Sequence, residues 1–359
     1  MKSSSNTYLY EGNDIIFMGF LRFLLFPFSI LYMYATSLRN FLFSIGVFKS
    51  TSYDVPSLGI GNLSMGGTGK SVAINYFVTL FKNHYPVTIL SRGHGRISKG
   101  FQLGNENSTA KTLGDEPLMF LKQHPEIRVG VSNDRRKGMT TLLNHDTNKA
   151  DGIFLWDDCF QHRWVKPSLM ILLTTYSSPY SGDFILPVGN LRELSEGADR
   201  ANIIIVTKCP RNLSVKRQTE IRMRLQLKKR QHLFFSSIRY STSIFGKNKQ
   251  LPLDVLDRIP FVLVTSIADA TPLTAYLRGR FEIFEHLPYK DHHIFSDADI
   301  STIQKQANGR MILTTQKDFT RLSPLIDEDL LFYLPIEMEI LNEEGEQLNS
   351  LVKEGMQLA

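Results

Sequence analysis

The chain has 359 residues, 42% of them hydrophobic and 21% charged, the proportions of a globular protein too long for one comfortable core and suited to two domains. Its 41 basic and 35 acidic side chains leave a net charge of +6, which favours an anionic partner such as a phosphate or lipid headgroup but falls far short of a nucleic-acid coating protein. Only Cys159 and Cys209 are present, so a disulfide scaffold and a thiol-based structural zinc site are excluded, and a reducing compartment fits.

From Ile15 to Leu38 the only charged side chain is Arg22. That run is long enough to cross a bilayer. Arg22 and Pro27 within it, and the apolar residues Phe41, Leu42, Phe43, Ile45, Val47 and Phe48 beyond it, equally suit an interfacial helix or a helical hairpin. A secretory signal is disfavoured, because Lys2 is the only basic residue at the start. Residues 1–50 are therefore set apart as a membrane-associated helical segment, with burial against the next domain as the plain alternative.

Next comes the strongest signal in the chain, Gly61-Asn62-Leu63-Ser64-Met65-Gly66-Gly67-Thr68-Gly69-Lys70-Ser71. It reads as a phosphate-binding loop that opens a helix. Glycines at 66, 67 and 69 let successive N–H groups face a phosphate, Lys70 supplies a point charge, and Ser71 offers a hydroxyl to magnesium. The helix adds its positive N-terminal end. Ser64 stands where the strict pattern has glycine, so the loop is a variant form.

Apolar strands and helices then alternate. A strand at 86–91 ends in the basic turn Arg92-Gly93-His94-Gly95-Arg96, and Gly114-Asp115-Glu116-Pro117 opens a helix. Further strands follow at 127–131, at 152–156 before the paired Asp157 and Asp158, at 169–173 and at 201–207. This rhythm predicts an α/β protein built on a doubly wound parallel sheet, here a P-loop-type α/β/α sandwich over residues 51–207. Between Lys208 and Arg230 the chain is densely basic, with Glu220 as its sole acid, and the domain boundary is placed there. Residues 208–359 are expected to form a smaller α/β domain.

An apolar strand ending in two aspartates supplies what the magnesium of a phosphate-loop enzyme needs. Gln161 and His162 follow within about one helical turn. Arg192 and Glu193, in a loop stiffened by Pro187 and Gly189, offer a phosphate contact and a magnesium ligand, or a surface ion pair. Transfer to an alcohol also needs a base. Asp115 and Glu116 are candidates, although helix capping explains them too. In Asp291-His292-His293, a histidine orienting a catalytic carboxylate is preferred to metal ligation. Thr315-Gln316-Lys317-Asp318 is one residue short of the guanine-reading Asn/Thr-Lys-x-Asp and is set aside.

Taken in order, the variant loop, Leu90-Ser91-Arg92-Gly93, Gly114-Asp115-Glu116-Pro117, Asp157-Asp158 with Phe160-Gln161-His162, Leu186-Pro187 with Leu191-Arg192-Glu193, Asp291-His292-His293 and Gln316-Lys317-Asp318 resemble the tetraacyldisaccharide 4′-kinases, the lipid A kinases of Gram-negative bacteria. The resemblance implies transfer of the γ-phosphate of ATP, with Mg²⁺, to the 4′-hydroxyl of an acylated glucosamine disaccharide 1-phosphate at the cytoplasmic face of the inner membrane. It also implies two α/β/α domains joined by a short β linker, with the active site between them. By this analogy Asp115 is the base, helped by His292, and Lys70 and Ser71 hold phosphate and metal with Ser64 to Gly69 lining the cradle. Asp157, Asp158 and Glu193 join the catalytic and magnesium shell, and Arg92, Glu116, Gln161, His162 and Arg192 line the phosphates or substrate. Partners implied are the lipid A precursor and inner-membrane lipids, with no nucleic acid and a monomeric state. Cys159, Asn190 and Leu194 depart from the residues usual in the family, affecting loop stiffness more than chemistry. The rival from another class is a membrane-associated P-loop ATPase acting as a switch or assembly factor.

Overall fold

The computed structural model describes residues 6–145, 152–281, 283–291 and 293–358. Short runs rich in Ile, Val and Leu, bounded by turn residues, form the strands. In the larger sheet these are β1 (Ser57–Asn62), β2 (Val87–Ser91), β3 (Gln102–Leu103), β4 (Arg128–Val131), β5 (Ile153–Asp157), β6 (Leu169–Thr175), β7 (Ile203–Thr207) and β8 (His232–Tyr240). A smaller sheet holds β9 (Ser243–Phe245), β10 (Gln250–Pro252), β11 (Phe261–Thr265), β12 (Ile283–Pro288), β13 (Met311–Thr314) and β14 (Leu331–Tyr333). The chain then returns to the larger sheet with β15 (Ile336–Ile340).

The larger sheet runs β15-β8-β7-β6-β1-β5-β2-β4-β3. All its pairings from β4 to β8 are parallel, with β3 and β15 antiparallel at the edges. β1, β2, β5 and β7 are buried at every position, which is why they read as unbroken apolar runs. Along β7 the side chains alternate between two cores: Ile203 and Ile205 join Phe77, Phe81 and Phe120, whereas Ile204 and Val206 join Leu63, Phe160 and Ile221. A sheet with a separate core on each face is the expected α/β/α sandwich.

The helices are α1 (Asn6–Ser44), α2 (Lys70–Phe81), α3 (Ala110–Leu113), α4 (Asp115–Gln123), α5 (Arg135–His145), α6 (Val215–Leu225), α7 (Thr271–Arg278), α8 (Asp297–Ala307), α9 (Gln316–Leu322) and α10 (Gly345–Gly355). α10 packs Leu348, Val352 and Met356 into the core beneath α2, and Tyr76 Oη on α2 donates to Asn349 Oδ1 at 2.9 Å. The last helix of the chain thus belongs to the first unit.

The boundary expected at residue 208 is therefore corrected. α6 contributes Ile221 and Leu225 to the core of the larger sheet, and β8 and β15 extend that sheet, Ile336 pairing with Tyr240. The smaller unit is an insertion between β8 and β15. Within the basic run from Lys208 to Arg230, Arg217 pairs with Glu220 on α6, and Arg222 and Arg224 complement the negative end of that helix.

α1 is 39 residues long, about 58 Å at 1.5 Å per residue, with Pro27 inside it. No helix among the described residues is long and apolar enough to cross a membrane. From Leu24 onward α1 exposes Phe26, Phe28, Leu31, Tyr34, Leu38 and Phe41. Its opposite side is fastened to the larger unit: Ser29 Oγ donates to the Ile185 carbonyl at 3.1 Å and Tyr32 Oη to the Arg192 carbonyl at 2.9 Å.

Candidate active site

β1 delivers the chain to the phosphate loop between β5 and β6. Gly61 has to be glycine there, because a Cβ would stand 2.6 Å from that of Phe160. Gly66 and Gly69 take φ of +100° and +87°, which lets the loop curl into α2. Asn62 closes the curl from inside. Its Nδ2 donates to the Ser64 carbonyl at 2.7 Å and to Thr68 Oγ1 at 2.8 Å, while its Oδ1 accepts from Lys70 Nζ at 3.3 Å. Thr207 at the end of β7 donates from Oγ1 to the Thr68 carbonyl at 2.9 Å. The loop is thus held in shape by its neighbours.

Beside it, β5 ends in the paired aspartates. Asp157 is buried; Ser91 Oγ donates to its Oδ2 at 2.8 Å, and its Oδ1 has no hydrogen-bond partner. Burial, with the charges of Glu116 and Asp158, pushes its carboxyl up to about 7. Asp158 holds a left-handed backbone, φ +46°, uncommon for a residue with a side chain. Its carboxylate receives Lys70 at 3.6 Å and Arg192 at 3.1 Å. Burial works against this charge, yet Lys70 and Arg192 hold the Asp158 carboxyl below the usual range. Buried Arg135 donates to the carbonyls of Asp157 and Asp158 at 2.9 and 3.3 Å, fixing the turn.

Ser71 Oγ donates to Glu116 Oε1 at 2.9 Å. A hydroxyl and Glu116 thus meet at the loop, and Asp157 lies close enough to feel the Glu116 charge, a set of oxygen donors that suits a hard divalent cation. Among the described residues no group of three His, Cys, Asp or Glu side chains is placed to hold a metal unaided. A magnesium that takes most of its ligands from phosphate and water does not need one.

Glu193 does not fit the magnesium role expected of it. It is 1% exposed and its carboxylate is already engaged, by Arg200 at 2.7 Å and Gln161 Nε2 at 3.1 Å on one oxygen and by Asn40 Nδ2 at 2.6 Å on the other. Gln161 Nε2 also donates to the Asn62 carbonyl at 2.9 Å, so Glu193 braces the loop through Gln161. His162 Nε2 accepts from the Arg135 backbone N–H at 3.3 Å. Burial and the Arg135 charge lower its imidazole to about 4.

Asp115, the first residue of α4, is ion-paired with Arg321 of α9 across the two units. Arg321 also donates to Ser266 Oγ at 3.2 Å and to the His293 carbonyl at 3.4 Å, and lies 3.8 Å from fully buried Asp318. His292 lies outside the described residues. His293 turns its ring away, Nε2 standing 3.0 Å from Asp299 Oδ2. Arg92 lines a basic pocket of about 290 Å³ with His94, Arg96, Ser98 and Asn133. Ser91, Arg135, Asn40, Arg200 and Arg321 had no role in the sequence reading, although Ser91 lies within the quoted motif Leu90-Ser91-Arg92-Gly93.

A glycine cradle with a lysine and a serine, an acidic strand end beside it and a helix-start aspartate facing a second unit define a P-loop phosphotransferase. A family model described as tetraacyldisaccharide-1-P 4′-kinase, LpxK, matches residues 21–356. Among similar proteins, the tetraacyldisaccharide 4′-kinase of Flavobacterium johnsoniae is 47% identical over 327 residues, covering 90% of this chain and 94% of its own. That of Bacteroides thetaiotaomicron is 38% identical over 345 residues, 90% of each chain. A crystal structure of LpxK from Aquifex aeolicus in complex with ATP superposes with a TM-score of 0.77 at 28% identity, covering 94% of this chain and 99% of that one. The chain belongs to the tetraacyldisaccharide 4′-kinase family.

Proposed function

We infer that this family member transfers the γ-phosphate of ATP to the 4′-hydroxyl of a tetraacylated glucosamine disaccharide 1-phosphate, the lipid A precursor, with Asp115 accepting the hydroxyl proton. One observation carries the assignment of the base: Asp115 adjoins Glu116, whose carboxylate is hydrogen-bonded to Ser71 of the phosphate loop at 2.9 Å. Base and cradle are therefore linked through neighbouring residues, Asp115 beside Glu116 and Glu116 on Ser71.

Lys70 and the loop amides stabilise charge on the transferring phosphoryl group. With nucleotide present, Lys70 and Arg192 exchange Asp158 for phosphate oxygens. Ser71, Asp157 and Asp158, with Glu116, would hold Mg²⁺, which when bound neutralises phosphate charge. Glu193 and Gln161 position the loop, and Arg135 and His162 position the aspartate turn. The basic pocket beside Arg92 suits an anionic part of the acceptor. The exposed face of α1 lies against the cytoplasmic surface of the inner membrane, where an acylated substrate resides. The proposed enzyme is a monomer and binds no nucleic acid.

Replacing Asp115 by Ala should lower kcat by roughly 10²–10⁴-fold, the usual contribution of a general base, while the Kd for ATP changes little. Single-turnover transfer on purified lipid acceptor, paired with ATP titration, tests this. Near-normal turnover in Asp115→Ala would remove Asp115 from the role.

A further inference from the structure

This inference rests on the reading that the loop binds a nucleoside triphosphate, and it concerns where the nucleoside lies. Asp157, Asp158 and Glu116 fix the γ end on the β5 side of the loop. A triphosphate laid along the loop therefore carries its nucleoside toward the opposite flank, where β6 and β7 end. The first residue beyond β7 is Lys208, which is exposed and holds a left-handed backbone, φ +57°. Residues with a side chain seldom keep that conformation unless their surroundings require it.

Two contacts tie this strand end to the loop. Thr207 Oγ1 bonds to the Thr68 carbonyl at 2.9 Å, and Lys208 Nζ stands 3.8 Å from where a Cβ on Gly67 would be. The ammonium thus reaches over the loop backbone, and its four-carbon stem spans the space beside it. From the smaller unit, Asp269 faces the same lysine. Its carboxyl is held below the usual range by the Thr271 N–H and, in smaller part, by the Lys208 charge. The run Thr207-Lys208-Cys209-Pro210 has the Thr-Lys-x spacing of the guanine-reading tetrapeptide, with Pro210 in place of its aspartate. Proline carries no carboxylate to pair with a guanine edge and no N–H to offer any base.

We propose that Lys208 is a nucleoside-binding residue, its stem lying under the purine and its ammonium bridging the Gly67 region to the ribose, and that Pro210 leaves the purine edge without a charged reader. The site then grips adenine and guanine nucleotides alike.

Equilibrium titration of the full chain with ATP, GTP and inorganic tripolyphosphate tests both parts. The wild-type protein should bind ATP and GTP within about tenfold of each other, a difference of no more than one good contact. Lys208→Ala should weaken both nucleotides by roughly ten- to thirtyfold and leave tripolyphosphate unchanged. Lys208→Gly, which suits the left-handed backbone, should give the same loss and so separates lost contact from altered folding. An equal loss on tripolyphosphate would make Lys208 a phosphate ligand and overturn the proposal, as would unchanged nucleotide binding in both variants. A preference of wild type for ATP over GTP beyond about a hundredfold overturns the part played by Pro210. Wild-type protein that binds none of the three would undo the reading of the loop itself.

Discussion

Asp157 sits on a buried strand end with one oxygen on Ser91 and the other without a partner. Its carboxyl is pushed up to about 7 from an ordinary 3.8, so between those values the folded protein binds more protons than the unfolded chain. The sign follows: stability associated with Asp157 is fully present below about pH 4 and is lost as the pH climbs toward 7. Asp157→Asn should flatten that slope, raising the melting temperature at pH 8 by an amount corresponding to on the order of 1–2 kcal/mol, while turnover falls sharply. Thermal melts at pH 5 and pH 8 without nucleotide check this, and an unaltered difference between them would contradict it. Residue identity alone announced the Asp157-Asp158 pair, because an apolar run ending in two acids has few other uses beside a phosphate loop. It placed Glu193, not Glu116, beside the magnesium. Only the fold shows that Glu193 is consumed by Arg200, Asn40 and Gln161 while Glu116 meets Ser71.

Among the elements, α4 and α9 meet at Asp115, the proposed base. Arg321 is held by Ser266 and by Asp318, and it reaches the Asp115 carboxylate from the other unit. Asp318 is itself buried, accepting from the Ser266 N–H at 2.8 Å and Thr315 Oγ1 at 2.8 Å. The segment set aside as a failed guanine motif is therefore a helix start whose cap and acid prepare Arg321. Arg321→Met should lower kcat about tenfold or more with little change in KM for ATP, and Arg321→Lys should recover part of the loss. A rise in KM for ATP at unchanged kcat would show that Arg321 serves nucleotide binding instead. The α2, α4 and β5 assignments were legible because periodicity, glycines and caps agree locally. The insertion of the smaller unit between β8 and β15 was not, since pairing of strands about a hundred residues apart leaves no local mark.

At the scale of the molecule, α1 joins a greasy exposed face to the interior of the site. Arg39 donates to the Gln161 carbonyl at 2.9 Å, Asn40 to Glu193 at 2.6 Å and Tyr32 to the Arg192 carbonyl at 2.9 Å, so the helix that would rest on lipid also braces the loop. Replacing Leu31 and Leu38, 68% and 60% exposed, by Glu should reduce cosedimentation with anionic vesicles and raise KM for bilayer-presented acceptor, with ATP binding retained. Unchanged vesicle binding would place the contact elsewhere. In the proposed reaction, phosphate passes directly from the Lys70 cradle to a lipid sugar. The most direct test follows γ-labelled ATP with the purified protein and the tetraacyldisaccharide 1-phosphate acceptor. Label should enter the lipid at the 4′ position, with little phosphate released when lipid is absent. Lipid-independent release with unlabelled acceptor would contradict the account.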